Sequence, residues 1–320
     1  WRRSAGSAHA SGSGPSRTSA RVPSAGRALT AYANPPTSPQ GGHVVAGSAT
    51  INQTGNTTTV ANSNGPIINW NSFNIGAGNT VRFNQASASS RVLNRVTGGN
   101  ASQIAGTLSS NGIVYVTNSA GIFIANGAVI NVAGFAAAAG SISDTDFLSG
   151  TNHCTNVTGT VENRGTINTQ AAHLVGQRVS NFGAINAPNG MVTMTAGSDV
   201  YIAEQGGQIY ARVEGAPANG GTGVTQAGEI NARGGQVRLG AGDMYAVAID
   251  HPGRTIAKNI KLQGGHGTND PTTGVVSVSG TLDASDYSAG GHGGTVSVLG
   301  DRVGIFGAGH IDASGDAGGG

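Results

Sequence analysis

The feature that most restricts the fold of this chain is a short motif that recurs after residue 150. Each copy pairs a turn glycine with one isoleucine or leucine, followed by Asn or Asp. The copies are RGTINT from Arg164, FGAINA from Phe182, AGEINA from Ala227, SGTLDA from Ser279 and AGHIDA from Ala308. A second motif follows the middle copies, as GMVTMTAG from Gly190, GQVRLGAG from Gly235 and GTVSVLGD from Gly294. Repeated units of roughly 20 residues are the signature of a solenoid.

These units predict how the chain buries its apolar side chains. One unit holds too few of them to form a core alone, whereas stacked units share a continuous core and pair their backbone groups with the coil above or below. The Asn and Asp residues beside the turn glycines suit left-handed corners and amide ladders between coils. We therefore predict an all-β fold, a right-handed parallel β-helix (solenoid) with an N-terminal cap and short hairpins outside the helix.

The segment before the repeats, residues 40–149, also has a strand pattern. Short apolar alternations at Ile67–Trp70, Val81–Phe83 and Ile113–Val116 are each stopped by Gly, Asn or Ser within a few residues, which is typical of strands between tight turns. Val129–Ser143 contains an alanine run with helix propensity. Glycines flank that run closely, so we expect at most a turn or two of helix there.

Composition agrees with a fold of many turns around a narrow core. Of 320 residues, 55 are glycine and 10 are proline, and 10% are charged. High glycine without a three-residue period excludes collagen, and the low charge argues against a disordered chain. The single cysteine, Cys154, excludes an internal disulfide, and we expect it to be a buried, inert thiol.

The distribution of charged and apolar residues argues against nucleic-acid binding and against a transmembrane segment. The net charge is +2, and much of the positive charge lies in the first 30 residues. The remaining sequence offers no basic stripe, so we predict no nucleic-acid binding. No run of about 18 apolar residues occurs, which predicts no transmembrane segment.

Six blocks in fixed order give the chain a family resemblance. They are GGHVVAGSATI (41–51), IINWNSFNIGAG (67–78), VRFNQ (81–85), VLNRVTGG (92–99), SQIAGTLSSNGIVYV (102–116) and SISDTDFLSG (141–150). This stretch resembles the haemagglutination activity domain, the N-terminal secretion domain of filamentous-haemagglutinin-type exoproteins of two-partner secretion. The resemblance implies a domain at 40–150, β-helical shaft repeats at 151–320, and a leader region at 1–39 that is disordered or mis-framed.

The resemblance implies an exported protein that is not an enzyme. Such proteins cross the periplasm of a Gram-negative bacterium and are secreted, or reach the cell surface, through a dedicated outer-membrane β-barrel transporter. The implied whole protein is a large adhesin that attaches to a host glycan or protein receptor through regions outside this fragment. We expect the true start to be lost, because Ala31–Ala33 resembles the end of a signal peptide without its apolar core. The end in mid-repeat suggests truncation.

The resemblance also suggests where the transporter recognises its cargo. We predict that Asn94 and Arg95, and the turn formed by Asn118, Ser119, Ala120 and Gly121, contribute to recognition. An ion-pairing or hydrogen-bonding role in the fold is an equal alternative for Arg95. The family commonly has Asn-Pro-Asn-Gly where this chain has Asn118–Gly121, and we expect Ser-Ala to make the same turn without proline.

Two other functions remain open at the level of sequence. Contact-dependent toxin-delivery proteins share the same export domain and shaft. A polysaccharide-degrading β-helix would instead cluster carboxylates on one face, but residues 1–143 contain no Asp or Glu. The close pair Asp144 and Asp146 is expected to end a strand. The histidines, including His153 beside Cys154, lack metal-ligand spacing, so we predict no metal site and no cofactor.

Overall fold

The computed structural model describes residues 37–205, 208–214, 221–242, 245–265 and 274–320, and only the backbone of 203–205 and 208–214. All of them belong to one unit, Pro36–Gly320. The predictions for residues 1–36, including the signal-peptide-like Ala31–Ala33, therefore concern residues outside the described ranges.

The described part of the chain begins with two antiparallel strand pairs that act as an N-terminal cap. The first strand pairs with the fourth and the second with the third, and later neighbours along the stack are parallel. The elements up to residue 150 are β1 (His43–Ala46), β2 (Ala49–Thr54), β3 (Thr57–Asn62), β4 (Ile67–Trp70), β5 (Thr80–Asn84), β6 (Arg91–Val96), β7 (Ser102–Ile104), β8 (Thr107–Ser110), β9 (Ile113–Thr117), β10 (Ile122–Ile124), β11 (Val129–Asn131), β12 (Gly134–Ala138) and α1 (Asp144–Ser149).

The stack continues after α1 with an antiparallel insertion. The next strands are β13 (Asn152–Cys154), β14 (Thr160–Asn163), β15 (Thr166–Asn168), β16 (Ala171–Gly176), β17 (Arg178–Asn181), β18 (Ala184–Asn186), β19 (Met191–Ala196), β20 (Asp199–Gln205) and β21 (Gln208–Glu214). Strands β13, β20 and β21 form a separate antiparallel sheet. This insertion is one of the hairpins predicted outside the helix.

The last described coils contain two long strands, each of which passes from the second face to the third, and their pairing is irregular at the corner between Ala232 and Gln236. The strands are β22 (Thr222–Gln226), β23 (Glu229–Ala241), β24 (Val247–His251), β25 (Arg254–Gly264), β26 (Val275–Val278), β27 (Thr281–Asp283), β28 (Thr295–Leu299), β29 (Arg302–Ile305) and β30 (His310–Asp312). Strand β23 pairs in parallel with both β18 and β19.

Each coil contributes one strand segment to each of three faces. The first face consists of β7, β10, β14, β17, β22, β24, β26 and β29. The second face consists of β5, β8, β11, β15, β18, the first halves of β23 and β25, β27 and β30. The third face consists of β6, β9, β12, β16, β19, the second halves of β23 and β25, and β28. The predicted all-β, parallel β-helical fold is confirmed.

The recurring motifs correspond to two of these faces. The TIN, AIN and EIN copies lie in the second face, with Ile130, Ile167, Ile185 and Ile230 in register and fully buried. The second motif forms the third face. These isoleucines therefore form a continuous column in the core, with one side chain per coil. Burying each of them stabilises the fold by roughly 1.5–3 kcal/mol.

The alanine run is a strand rather than part of a helix. All of Gly134–Ala138 is β12, and every residue in it is buried. The third face is covered on both sides, by the main core inside and by a second apolar cluster outside. Small side chains fit between these two layers, so packing overrides helix propensity.

The structure also corrects the expectation that Asp144 and Asp146 end a strand. Both residues lie instead in the first turn of α1.

The ladder crosses residue 150 without a break, because β10, β11 and β12 pair with β14, β15 and β16. The boundary between a 40–150 domain and a 151–320 shaft stays a prediction. No helix in the described ranges has the length and apolar character needed to cross a membrane.

Candidate functional site

The predicted recognition turn lies at the corner where β9 of the third face passes to β10 of the first. Asn118 is 1% exposed, and its Nδ2 donates to the backbone oxygen of Asn100 and to Ser102 Oγ, both at 3.0 Å. Its Oδ1 accepts from the backbone N–H of Ala120 at 3.0 Å, and Gly121 N–H donates to the Asn118 carbonyl at 2.9 Å. These hydrogen bonds hold the turn closed in the absence of proline, whose fixed φ would favour a turn at this place.

Glycine is required at the last position of this turn. Gly121 has φ +115°, and a Cβ there would lie 3.0 Å from the carbonyl oxygen of Thr160 on the next coil. Ser119 and Ala120 are exposed, and the Ser119 carbonyl accepts from Thr158 Oγ1 at 3.0 Å. The turn therefore presents two small side chains on a rigid backbone.

Asn94 lies inside the fold. It is fully buried in β6, where its Oδ1 accepts from Trp70 Nε1 at 3.0 Å and its Nδ2 donates to the Tyr115 carbonyl at 3.1 Å. Both ends of the amide are thus satisfied within the folded domain, as a buried polar group requires. In this fold the Asn94 side chain links β4 and β9 through its bonds to Trp70 and Tyr115. Its role in recognition stays a prediction.

Arg95 and Arg91 hold the two ends of α1 from the same strand. Arg95 Nη2 donates to the Ile142 carbonyl at 3.0 Å and forms an ion pair with Asp144. Arg91 Nη2 donates to the Leu148 carbonyl at 2.9 Å, at the C-terminal end of the helix. Cations are favourable near the carbonyl end of a helix. The predicted alternative, an ion-pairing role for Arg95, describes what this side chain does.

The sequence around α1 contains the signals for a short helix. Ser143 Oγ accepts from the Asp146 N–H at 3.0 Å as the N-cap, and Gly150 ends the helix with φ 83°. These are preferred residues at the two ends. Phe147 is 2% exposed and packs edge-on against Tyr115, with ring centroids 5.4 Å apart.

The helix and the antiparallel insertion cover an apolar surface on the outside of the third face. Together they form the second core, which consists of Ile67, Leu93, Tyr115, Ala136, Ala138, Ile142, Phe147, Cys154, Val157, Val175, Val200 and Ile202. Burial here raises the pKa of Cys154 to about 12, with a further contribution from nearby Asp199. A thiol of this kind is unreactive, in agreement with the expectation of a buried, inert cysteine.

His153 joins the parts of this covering layer. Its Nε2 lies 3.0 Å from Asp199 Oδ1 on β20, and its Nδ1 lies 3.5 Å from Asp146 Oδ2 on α1. Its ring packs against Tyr201 at 4.9 Å between centroids. The sequence predicts a structural or solvated role for His153 rather than a metal site, and no group of side chains in the described residues is arranged to hold a metal ion. The absence of a metal or cofactor stays a prediction.

The site residues thus fall into two groups at one corner of the β-helix. Asn118–Gly121 connects β9 to β10, and one coil later α1 and β13 connect β12 to β14. The Asn118 N–H donates to the Ala138 carbonyl at 3.0 Å, which links the turn to the coil that carries the helix. The hydrogen bonds from Arg91 and Arg95 to the two ends of α1 join residues about 50 positions apart in the sequence. No local sequence pattern predicts such contacts.

Comparison with known proteins agrees with this fold. A family model described as the TPS secretion domain matches residues 36–298. The crystal structure of the HMW1 secretion domain from Haemophilus influenzae is similar with a TM-score of 0.69 and 30% sequence identity, covering 87% of this chain and 74% of that chain.

Two curated relatives from Haemophilus influenzae are similar over a shorter segment. A heme/hemopexin-binding protein of strain Rd is 48% identical over 104 residues, which are 32% of this chain and 12% of that protein. A second heme/hemopexin-binding protein is 45% identical over 109 residues, again 12% of its length. The matched segment is therefore a small part of each relative.

Proposed function

This chain belongs to the family of TPS secretion domains, and from that premise we propose that it directs the export of a larger exoprotein. In two-partner secretion the exoprotein crosses the periplasm of a Gram-negative bacterium and then passes a dedicated outer-membrane transporter. The observation that carries the proposal is the family match over residues 36–298, together with the parallel β-helix of that same region.

The physical role of the domain is to supply both an address and a folding nucleus. Each coil of a solenoid contacts only its neighbours, so folding nucleates locally and propagates along the stack. The antiparallel cap of β1 to β4 shields the first coil and suits it as a starting point. Folding outside the cell then opposes backward movement of the chain through the transporter.

The transporter contact is assigned to the turn Asn118–Gly121. Ser119 and Ala120 are exposed there, while Asn118 and Gly121 are buried and hold the backbone in place. A rigid backbone lowers the entropy cost of binding. Arg95 contributes through α1, and Asn94 through its bonds to Trp70 and Tyr115.

For the whole protein we propose attachment to host cells or surfaces, through a glycan or protein receptor, without enzymatic activity. A second candidate is binding of heme or hemopexin, which is favoured by the 48% identity to a heme/hemopexin-binding protein. Toxin delivery by the same export domain is the remaining alternative. The sequence downstream of this domain separates toxin delivery from the other two candidates, because a toxin domain is encoded there only in that case.

The test is export of this chain, placed behind a working signal peptide, with and without its cognate outer-membrane transporter. We expect the chain in the medium only when the transporter is present. The variant S119D/A120D should lower export at least tenfold, since two carboxylates alter the exposed turn. The matched control is A88D/S89D, at an exposed turn between β5 and β6, which should be exported normally.

Transporter-independent release, or retention with the transporter present, would contradict the secretion role. Normal export of S119D/A120D would contradict the assignment of the turn alone. Circular dichroism of both purified variants checks that the β-helix is intact.

A further inference from the structure

A row of polar depressions lies along the corner between the second and third faces. It consists of three depressions of about 390, 460 and 540 Å³. Asn131 borders the first and second depressions, and Gln170 borders the second and third. The depressions therefore adjoin one another along successive coils from Arg82 to Asn259, and we call this row of depressions the amide groove.

Side-chain amides and hydroxyls dominate the lining of the amide groove. Its members include Asn84, Gln85, Asn111, Asn131, Asn168, Thr169, Gln170, Asn186, Asn189, Gln236 and Asn259. The lining of these three depressions contains no carboxylate and two permanently charged side chains, Arg82 and Lys258. Burial lowers the pKa of His173 to about 4, so this lining histidine is neutral at pH 7.

An asparagine ladder gives the groove a repeat. Asn168 Nδ2 donates to Asn131 Oδ1 at 2.7 Å, and Asn186 Nδ2 donates to Asn168 Oδ1 at 2.9 Å. An amide has two N–H donors and an oxygen with two lone pairs, so the ladder leaves Asn168 with one further donor and one further acceptor. These groups recur at the strand spacing of about 4.8 Å.

The ligand must be read by side chains, because the backbone here is already paired. Strand β11 is bonded to β8 and β15, and β15 and β18 are likewise bonded on both sides. No sheet edge is available at these strands for an added peptide strand, which needs free backbone groups. A polyanion needs a row of cations, and this groove has Arg82 and Lys258 near its two ends.

We propose that the amide groove binds an extended neutral polysaccharide, whose hydroxyl groups donate to and accept from one amide per coil. Apart from the imidazole of His173, the linings contain one aromatic ring, that of Phe83, which is 1% exposed. Hydrogen bonds therefore carry the recognition without ring stacking. Each contact is weak, so binding needs a chain long enough to span several coils, and a monosaccharide does not compete.

The amide groove and the recognition turn lie at different corners, so this proposal goes beyond the secretion role. The experiment is native affinity electrophoresis of the purified 320-residue chain in gels that contain dextran, galactomannan or xyloglucan. We expect at least one of them to retard the chain, and its monosaccharide to leave that retardation unchanged. The variant S119D/A120D should bind like the wild type.

Two variants test the groove itself. N168A/N186A removes the centre of the ladder, and N189A/N259A removes exposed amides of the third depression without touching the ladder. Each should weaken the apparent Kd at least fivefold. The control N52A/N56A removes two exposed asparagines on the β2–β3 hairpin and its turn, which are not part of the lining of any of the three depressions, and should leave binding unchanged. N189A/N259A keeps the test informative if loss of the ladder impairs folding.

Three results would overturn the proposal. They are the absence of retardation by all three polysaccharides, unchanged retardation in N189A/N259A, and retardation by heparin alone. A fourth gel, which contains heparin, identifies the last case, in which Arg82 and Lys258 would attract a polyanion.

Discussion

At the scale of single residues, buried amides replace isoleucine at one inner corner of the β-helix. The position held by Ile124 in one coil is held by Asn163, Asn181 and Gln226 in the next ones. Asn163 Nδ2 donates to Asn181 Oδ1, and Asn181 Nδ2 donates to Gln226 Oε1, both at 2.8 Å. Each amide is fully buried and bonded to its neighbour, so the ladder satisfies polar groups that would otherwise be costly.

Replacing the middle amide should destabilise the domain strongly. Asn181→Val removes an amide from the ladder. Gln226 Oε1 then loses its donor, and Asn163 Nδ2 loses its 2.8 Å bond and keeps only the 3.5 Å contact with the Ala184 carbonyl. Because each orphaned buried group costs about 1–3 kcal/mol, we expect a loss of about 2–5 kcal/mol in the free energy of unfolding. Urea unfolding measures it. The exposed control Asn52→Ala should change stability by less than about 0.5 kcal/mol, and equal effects of the two variants would contradict the ladder's role.

His251 lies in β24, the strand that pairs with β22, and it makes stability depend on pH. Burial lowers the pKa of His251 from its usual 6.5 to about 4. The unfolded chain therefore takes up a proton below pH 6.5 that the folded chain resists. The stability is fully present above pH 6.5 and is lost as the pH falls towards 4, by about 3 kcal/mol for a shift of this size.

The variant His251→Gln tests this dependence. Glutamine keeps a polar group near Thr255 Oγ1, which His251 Nε2 contacts at 2.8 Å, but it does not titrate. We expect the loss of thermal stability between pH 7 and pH 4.5 to be smaller in His251→Gln than in the wild type. His43→Gln, at an exposed position, is the control and should retain the wild-type slope. An unchanged slope in His251→Gln would assign the acid sensitivity to other groups.

At the scale of elements, the helix α1 is fixed by strand β6 rather than by its own length. Six residues are too few for a helix to be stable alone. Arg91 and Arg95 bond its two ends, and Leu93 between them joins Phe147 in the second core. The helix is therefore a tertiary feature, stabilised where it lies on the third face.

A double-mutant cycle on Arg95 and Asp144 should separate the ion pair from the other bonds of the arginine. The Asp144 side chain is 56% exposed, so we expect a coupling below about 1 kcal/mol. Arg95→Ala should cost more than Asp144→Ala, because it also removes the bond to the Ile142 carbonyl. Thermal unfolding of the two single variants and the double variant gives the coupling. Equal costs for the single variants would contradict the second contact.

At the scale of the whole unit, Pro36–Gly320, stability is a sum over neighbouring coils. A coil in the interior of a solenoid packs on two neighbours, and a coil at the edge of the stack packs on one. The exposure of the second-face isoleucines follows this rule, since Ile185 is fully buried and Ile311 in β30 is 38% exposed. The same side chain therefore has a different energetic value along the stack.

Substituting these two isoleucines measures that difference. Ile185→Ala should cost about 2–5 kcal/mol, because it leaves a cavity in a column that is packed above and below. Ile311→Ala should cost less than about 1 kcal/mol, since part of its surface already faces water. Chemical unfolding followed by circular dichroism compares them. Similar costs would mean that the coils do not behave as a nearest-neighbour stack.

The sequence by itself determined the β-helix, its parallel stacking and two of its faces, because those depend on local periodicity. The isoleucines of the TIN, AIN and EIN copies recur with a turn glycine, and stacking is the one arrangement that buries them all. The family resemblance placed the turn Asn118–Gly121, and its glycine and first asparagine form the buried ends of that turn.

Only the tertiary structure decided what lies outside the third face and where separated residues meet. The alanine run became a strand because α1 and the β13–β20–β21 sheet cover the outside of this face. Arg95 forms its ion pair because the fold brings Asp144, nearly 50 residues later in the chain, beside it, together with the Ile142 carbonyl. The amide groove likewise arises from side chains of several coils. Such contacts depend on the register between distant strands, which a local pattern does not contain.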